Sequence, residues 1–433
     1  MSARSVGLHV LADISGSASA LLNDASGLER LLCDASVAAG ATVLTSHSHS
    51  FEPHGATAVI VLAESHVSIH TWPEWGGATL DAYTCGDANP ERLVDFVIAG
   101  LQPTTIRRAT VPRTVPGGAD DAGFRFAEFI TPADRYEHDL AEIYVEGSSE
   151  FQTYLIGRSE VWGRMLVLDG VVQSTEADEF IYHEGIVHPA FYAASAVEPV
   201  REVLVLGGGE GACIREALRW RSVESATMVD IDAQVVAACR EYLPGHHRGS
   251  FEDPRVRLLH ADAVAYLGSL PDASLDVIIS DMTDPVESGP STFCFTVEYF
   301  EQVARVLRPH GVVAVQAGPS SPVEIALHAK VIRTLQHVFD FVIPYAVDAP
   351  CYGRDLGFVI ASQTALLSRL TASSIAAATD AIVGAHHWLT PDLIVGKLSI
   401  PPYVAAAISA HSDIYSVAEP PATVGAAGWQ AGR

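Results

Sequence analysis

Three things are scarce in this sequence: closely spaced cysteines, basic residues and long apolar runs. The six cysteines, Cys33, Cys85, Cys213, Cys239, Cys294 and Cys351, lie far apart with no CxxC among them. That argues against a zinc knuckle and a disulfide scaffold, and it fits a reducing compartment. Lysine and arginine number 26 against 52 aspartates and glutamates, so a phosphate backbone would be repelled and no nucleic-acid partner is expected. A cationic small molecule suits that balance, although acidity also serves solubility alone. No apolar run reaches the ~18 residues of a membrane span, and the opening MSARSVGLHVLADISG lacks the apolar stretch of a signal peptide. The expectation is a soluble, cytoplasmic protein without a membrane partner.

What is present is enough for more than one core: 433 residues, 48% of them hydrophobic, exceed what a single core usually holds. From Gly7 to about Pro112, short strands (GLHVLADI, ATVLTSH, ATAVIVLA, GATLDAYTC) alternate with helical stretches around Gly27 to Ala39 and Pro90 to Leu101. That pattern predicts an α+β two-layer sandwich. The segment VPRTVPGGADDAG concentrates Pro, Gly and Asp without apolar period and reads as a linker. Beyond it, FQTYLIGRSEVWGRMLVLDGVVQS alternates like β-hairpins, and a helical ADEFIYHEGIVHPAFYAA follows. A regular strand and helix alternation then predicts a parallel, doubly wound α/β sheet. The boundaries read as 1–110 for the front domain, 111–123 for the linker and 124–413 for the rear domain. The rear domain divides into a β-rich part, 124–175, and a Rossmann-like part, 176–413, and 414–433 reads as a disordered tail.

In VLVLGGGEGACIREAL a strand ends at Leu206, Gly207 to Gly209 turn the chain, and a helix follows. Such a loop offers backbone N–H groups to a nucleotide-like ligand, although glycine turns also occur for packing alone. Asp230 ends the next strand, where a carboxylate accepts ribose hydroxyls. Asp281 and Asp284, in DVIISDMTDPVESGP, fall where ligands bind in open α/β sheets, and two carboxylates there suit a cation. An Asp-Pro turn with Asp281 as a cap is the plainer alternative.

LVLDGVVQSTEADEFIYHE, LGGGEGACIREAL, MVDID and SDMTDPVESGP together resemble the polyamine aminopropyltransferases, the spermidine synthase superfamily, over about 124–368. The resemblance implies a Rossmann-like, methyltransferase-type sheet and transfer of the aminopropyl group of decarboxylated S-adenosylmethionine to a polyamine, releasing methylthioadenosine. It implies that Gln152, Gln173, Tyr182 and His183 contact cosubstrate and amine. Asp230 would hold the ribose, Asp262 the adenine, and Asp281 would be the general base, with Gly207, Gly209, Asp284 and Tyr352 lining the binding site. Glu210 stands where the family usually has Asp. There it would attract an ammonium and repel the carboxylate of intact S-adenosylmethionine, which separates this reading from a methyltransferase. GGGEGA, Asp230-Ile231-Asp232 and the VESGP loop depart from the common spermidine synthase pattern toward thermospermine synthases. Putrescine and spermidine both remain open as acceptors.

GLHVLADISG, HSHSFEPHGATAVIVLAESHVSIHTWPE and DAYTCGD resemble the prokaryotic S-adenosylmethionine decarboxylase proenzyme over about Gly7 to Leu101. The resemblance implies self-cleavage between Glu64 and Ser65, with Ser65 converted to a pyruvoyl cofactor that takes the substrate amine as a Schiff base and draws off electrons as carbon dioxide leaves. His70 would be the processing base and Cys85 the proton donor. Phe51 would stack on adenine and Glu74 would bind ribose. Thr57 stands where the family has Ser, and its hydroxyl can still serve processing, though β-branching restricts its rotamer. Read without the resemblance, His47, His49, His54, His66 and His70 would suggest a metal site and Cys85 an inert thiol; with it, the histidines line a polar pocket and no metal is expected. A front domain acting on ornithine or arginine, or a silent one, are the alternatives. Both families commonly dimerise, so a homodimer or higher homo-oligomer is expected, with the decarboxylase site at the subunit contact.

Overall fold

The computed structural model describes residues 7–86, 88–113, 124–131, 133–285, 289, 291–366, 368 and 370–421. The chain divides into two compact units, 1–122 and 123–433. Among the described residues no single helix is long and apolar enough to cross a membrane.

The front unit is one antiparallel sheet with helices on one face. Its strands are β1 (Gly7–Ser15), β2 (Val43–Ser50), β3 (Ala56–Leu62), β4 (Ser65–Trp72), β5 (Gly77–Thr84) and β6 (Thr105–Arg113), in the order β2-β3-β4-β5-β1-β6. After a single turn, α1 (Ser19–Leu22), come α2 (Ala25–Ala38) and α3 (Pro90–Leu101). Asp24 caps α2 by accepting from the Gly27 N–H, and Asn89 caps α3 by accepting from the Arg92 N–H, with Pro90 preset for the first turn. Leu28, Leu32 and Ala35 recur on one side of α2, as Leu93, Val97 and Leu101 do on α3. They meet Val10, Ala12, Ala58, Ile60, Val67, Ile69, Leu80 and Ala82, which alternate along the strands toward the helices. The intervening residues, among them His66, His70, Thr57, Asp81 and Tyr83, form the opposite face. That face stays partly open, with Leu11 41%, Val59 36% and Val61 39% exposed.

The structure departs from the sequence reading in two places here. Ser65–Trp72 is a strand of its own, concealed because serine, histidine and threonine carry its alternation. β6 runs through Arg113, so Val111–Arg113, read as the start of the linker, pairs with Gly7–His9. The remainder of the linker, 114–123, lies outside the described residues.

The rear unit opens with a hairpin, β7 (Phe124–Phe129) and β8 (Arg135–Leu140). A four-stranded antiparallel sheet follows: β9 (Glu142–Ser148), β10 (Thr153–Ser159), β11 (Gly163–Leu168) and β12 (Val171–Thr175). The buried helix α4 (Glu179–Ser195) leads into β13 (Glu202–Gly207), α5 (Ala212–Leu218), β14 (Ser225–Asp230), α6 (Ala233–Tyr242), α7 (Pro244–His247), β15 (Val256–His260), α8 (Ala263–Ser269) and β16 (Leu275–Asp281). Then come α9 (Val297–Val306), β17 (Leu307–Pro319), α10 (Ala326–Val338), β18 (Phe341–Val347) and β19 (Leu356–Ser362). The sheet order is β15-β14-β13-β16-β17-β19-β18. β13 to β17 run parallel, but β19, between β17 and β18, is antiparallel to both, so the expected parallel sheet is mixed. The chain order reverses at β13, and the crevice beyond the carboxyl ends of β13, β14 and β16 is where such sheets bind ligands. The expected tail begins too early at 414: Tyr415 is buried, its carbonyl accepts from Val297 N–H at 2.9 Å and its N–H donates to Thr334 Oγ1 at 3.0 Å. Residues 422–433 lie outside the described residues.

Candidate active sites

In the rear unit the carboxyl ends of the parallel strands bring the predicted residues to one cavity. Gly207, at φ +79, closes the turn after β13, and a Cβ there would meet the Asp281 carbonyl oxygen at 2.2 Å, so only glycine fits. A Cβ at Gly209 would stand 3.0 Å from Asp230 Oδ2. The lining includes Gln152, Gln173, Tyr182, Gly207, Gly209 and Glu210, together with Asp230, Asp262, Asp281, Asp284 and Tyr352. Sheet order sets their sequence along the crevice: Asp262 after β15, Asp230 on β14, the glycines on β13, Asp281 and Asp284 at β16, then Gln316 on β17 and Arg354 before β19.

Asp281 is held from two sides, accepting from Tyr182 Oη at 2.5 Å and from Cys213 Sγ at 3.1 Å. Burial, then the charge of Glu210, pushes its carboxyl up from the ordinary range. Burial likewise lifts Asp230 to about 7. Asp262 spends Oδ1 on the Ala265 N–H as the cap of α8. Asp284 accepts from Gln316 Nε2 at 2.9 Å, and Tyr352 Oη donates to the Gln173 carbonyl at 2.6 Å. Val286, Glu287, Ser288 and Pro290, in the loop that sets this sequence apart, lie outside the described residues.

His183 does not line the cavity. Its Nδ1 meets Glu179 at 2.8 Å and its Nε2 meets Glu210 at 3.0 Å; Glu179 in turn holds Arg215. Glu179 and His183 share one face of α4 at i, i+4. Burial alone would lower the imidazole, but the two carboxylates outweigh it and hold it at about 10. His183, Cys213 and Asp281 offer ligand atoms within 4.8 Å of one another, yet both imidazole nitrogens are already committed to carboxylates. Sequence reasoning missed Cys213, Gln316, Arg354 and the role of Asp232, whose carboxylate takes Ser149 Oγ at 2.6 Å and Gln152 Nε2 at 3.1 Å. Only Asp232 left a signal, two residues past Asp230.

In the front unit the predicted residues fall into two groups. Ala63 and Glu64 form the tight turn between β3 and β4. The Glu64 carbonyl accepts from the Cys85 N–H at 3.0 Å and from Cys85 Sγ at 2.9 Å. The Glu64 carboxylate is pinned by the Thr42 N–H at 2.9 Å. Ser65 sits at φ +148, a region that L residues rarely adopt. At the other end of β4, Thr57 Oγ1 and His70 Nδ1 lie 2.6 Å apart, and the His70 ring meets Phe51 and Trp72. Glu74 is exposed on the next turn. Five residue steps along the strand separate Ser65 from His70, about 17 Å at the usual rise, so one chain does not assemble the predicted set. His66 was read as pocket lining, yet its Nδ1 lies 3.1 Å from Ser65 Oγ.

Residues 179–370 match the spermine/spermidine synthase domain, 125–176 the spermidine synthase tetramerisation domain, and 8–114 S-adenosylmethionine decarboxylase. The polyamine aminopropyltransferase of Synechococcus sp. (strain JA-2-3B'a(2-13)) is 44% identical over 303 residues, 69% of this chain and 97% of that protein. The chain belongs to the polyamine aminopropyltransferases. Another aminopropyltransferase, from Aeropyrum pernix, is 42% identical over 251 residues, covering 57% of this chain and 79% of that one. A solved spermidine synthase from Thermotoga maritima shares the fold, with a TM-score of 0.61 at 24% identity over 67% of this chain and 96% of that one. With a decarboxylase domain ahead of the aminopropyltransferase, the chain is a bifunctional enzyme of polyamine biosynthesis. It decarboxylates S-adenosylmethionine and transfers the aminopropyl group; a methyltransferase or an ornithine or arginine decarboxylase in front is not favoured.

Proposed function

We propose that the rear cavity binds decarboxylated S-adenosylmethionine with Asp230 on its ribose and Asp262 beside its adenine, and that Asp281 deprotonates the acceptor amine. The observation that carries this is Asp281 itself, half-buried, raised and oriented by Tyr182 between donor and acceptor ends of one acidic crevice. An alkylammonium has no lone pair, so it must lose a proton before attack; Asp281 takes it. The amine then bonds the carbon beside the sulfonium, the carbon–sulfur bond breaks, and methylthioadenosine leaves with the electron pair. Glu210, anchored by His183, draws the donor's ammonium. No metal enters this reading. The decisive assay supplies purified protein with S-adenosylmethionine plus putrescine or plus spermidine and identifies the products; the absence of methylthioadenosine with both amines overturns it.

Because burial holds Asp230 near 7, it loses its charge as pH falls through that value. Donor KM is therefore expected to rise below about pH 7 while acceptor KM changes less, which initial rates across pH 6 to 8 check.

At the acceptor end the lining beyond Asp284 carries one charge among the described residues, that of Arg354. Its Nη1 meets Glu324 at 2.7 Å, and Nε has no partner among the described residues. A guanidinium there opposes a further ammonium. Replacing Arg354 by Met together with Glu324 by Gln is expected to raise kcat/KM for spermidine relative to putrescine about tenfold, with donor KM unchanged. An unchanged ratio removes Arg354 from acceptor choice.

For the front unit, Ser65 Oγ would attack the Glu64 carbonyl carbon, whose oxygen Cys85 already holds with two donors. These residues fit the pyruvoyl group that the family depends on: cleavage leaves it at position 65, beside Cys85. Once formed it supplies an electron sink for carbon dioxide loss. The Thr57 and His70 group is brought to Ser65 by a second copy, packed on the open sheet face about a twofold axis. Such an axis places the Ser65 end of one copy over the His70 end of the other, and it would cover Leu11, Val59 and Val61.

A further inference from the structure

We propose that His66, oriented by Asp81, is the base and then the acid of the first self-processing step; this rests on the reading of Ser65 as a self-cleaving serine. His66 Nδ1 is 3.1 Å from Ser65 Oγ, and its other nitrogen, Nε2, is 3.5 Å from Asp81 Oδ1. Asp81 belongs to β5, where it pairs with Ser68, and its second oxygen accepts from Ser68 Oγ. His9 Nε2 stands at 3.5 Å from the same Asp81 oxygen as His66. A serine, an imidazole and a carboxylate thus follow one another across two neighbouring strands, with the carboxylate at ion-pair distance from the imidazole nitrogen that is not on the serine, where it favours a proton.

Chemistry and position agree. With its proton on Nε2, the nitrogen nearer Asp81, His66 presents the Nδ1 lone pair to the serine hydroxyl and takes its proton as Oγ bonds the Glu64 carbonyl carbon. The charge developing on the carbonyl oxygen falls on the Cys85 N–H and Sγ, already at 3.0 and 2.9 Å. The carbon–nitrogen bond of the peptide then breaks, and the departing nitrogen receives the same proton from His66. The product is an ester between Glu64 and Ser65; no proton is gained or lost overall and no co-reactant is needed. His70 lies at the far end of β4 in the same chain, so it is left to the later removal of the Cα proton. His66 touches the reacting oxygen and is a catalytic residue of processing. Asp81 acts through it and is a positioning residue.

The two histidines separate by which intermediate accumulates. Full-length chain is made fresh as wild type, His66→Ala, His66→Gln, Asp81→Asn and His70→Ala, and sampled on denaturing gels with and without hydroxylamine, which cleaves esters and spares peptide bonds. His70→Ala is expected to stall as an ester that hydroxylamine splits into two pieces. His66→Ala and His66→Gln are expected to stay intact in hydroxylamine, to process at least tenfold more slowly, and His66→Ala to regain speed with added imidazole. Asp81→Asn is expected to fall between these and wild type. A His66 variant that cleaves at the wild-type rate overturns the assignment. So does one that accumulates the hydroxylamine-sensitive ester, or a slow His66→Ala that is indifferent to imidazole. A wild-type chain that never divides defeats the self-cleavage reading itself, and this assignment with it.

Discussion

Ser65→Ala is expected to leave one chain of 46.0 kDa, with S-adenosylmethionine decarboxylation abolished and aminopropyl transfer from supplied donor retained. The first half follows from chemistry: alanine has no oxygen to attack Glu64, so neither the ester nor the ketone derived from it can form. The second follows from architecture. The front unit has its own core, built from α2, α3 and the inward side of its sheet, while the described residues that line the transfer cavity all belong to the rear unit. The wild type, by comparison, should show pieces 1–64 and 65–433. Mass spectrometry of the longer piece reads the residue at position 65 directly, and the two activities are followed as carbon dioxide and methylthioadenosine. Decarboxylation by the alanine variant would remove Ser65 from the chemistry.

Asp281→Asn is expected to lower kcat for aminopropyl transfer by about 10²–10⁴, the usual worth of a positioned base, with donor KM moving much less. Asparagine keeps the shape and can still accept from Tyr182 Oη, but it cannot take the ammonium's proton. In the proposed reading, binding of the nucleoside falls on Gly207 to Gly209, Asp230 and Asp262, one to three strands away, which is why the two parameters should part. Tyr182→Phe should cost less, because Cys213 still holds the other carboxylate oxygen. Raising the pH should partly restore the asparagine variant, since a larger share of the acceptor then arrives uncharged. A variant with wild-type kcat, or one whose loss lies wholly in KM, would show that Asp281 only binds.

How much of this could be read beforehand depends on how local each signal is. The glycine turn after β13, Asp230 and Asp281 were legible because a parallel strand delivers its last residue to the crevice whatever the rest of the chain does. His183 was misplaced because motif position says that a side chain is near a site, not which layer it occupies. Glu210 stands between it and the cavity, an arrangement set by α4 packing against α5 and under β16 and β17. Arg354 and Gln316 carry no local signature; they arrive through the order of β17 and β19, which sequence spacing does not reveal. In the front unit the motif residues were found, but their division between the two ends of β4 follows from one strand length. β4 itself was overlooked because its outward residues are polar, a pattern suited to a face that awaits a partner.

The order β2-β3-β4-β5-β1-β6 has a consequence for what scission would do. A cut after Glu64 assigns β1, β2 and β3 to the short piece and β4, β5 and β6 to the long one. Yet β1 is threaded between β5 and β6, and β3 stays zipped to β4. The pieces are interdigitated, so the break releases nothing and the helices still seal both. Reassembly after denaturation, however, turns from a unimolecular event into an encounter between strangers, second order in protein concentration and unable to repeat the act that made the ketone.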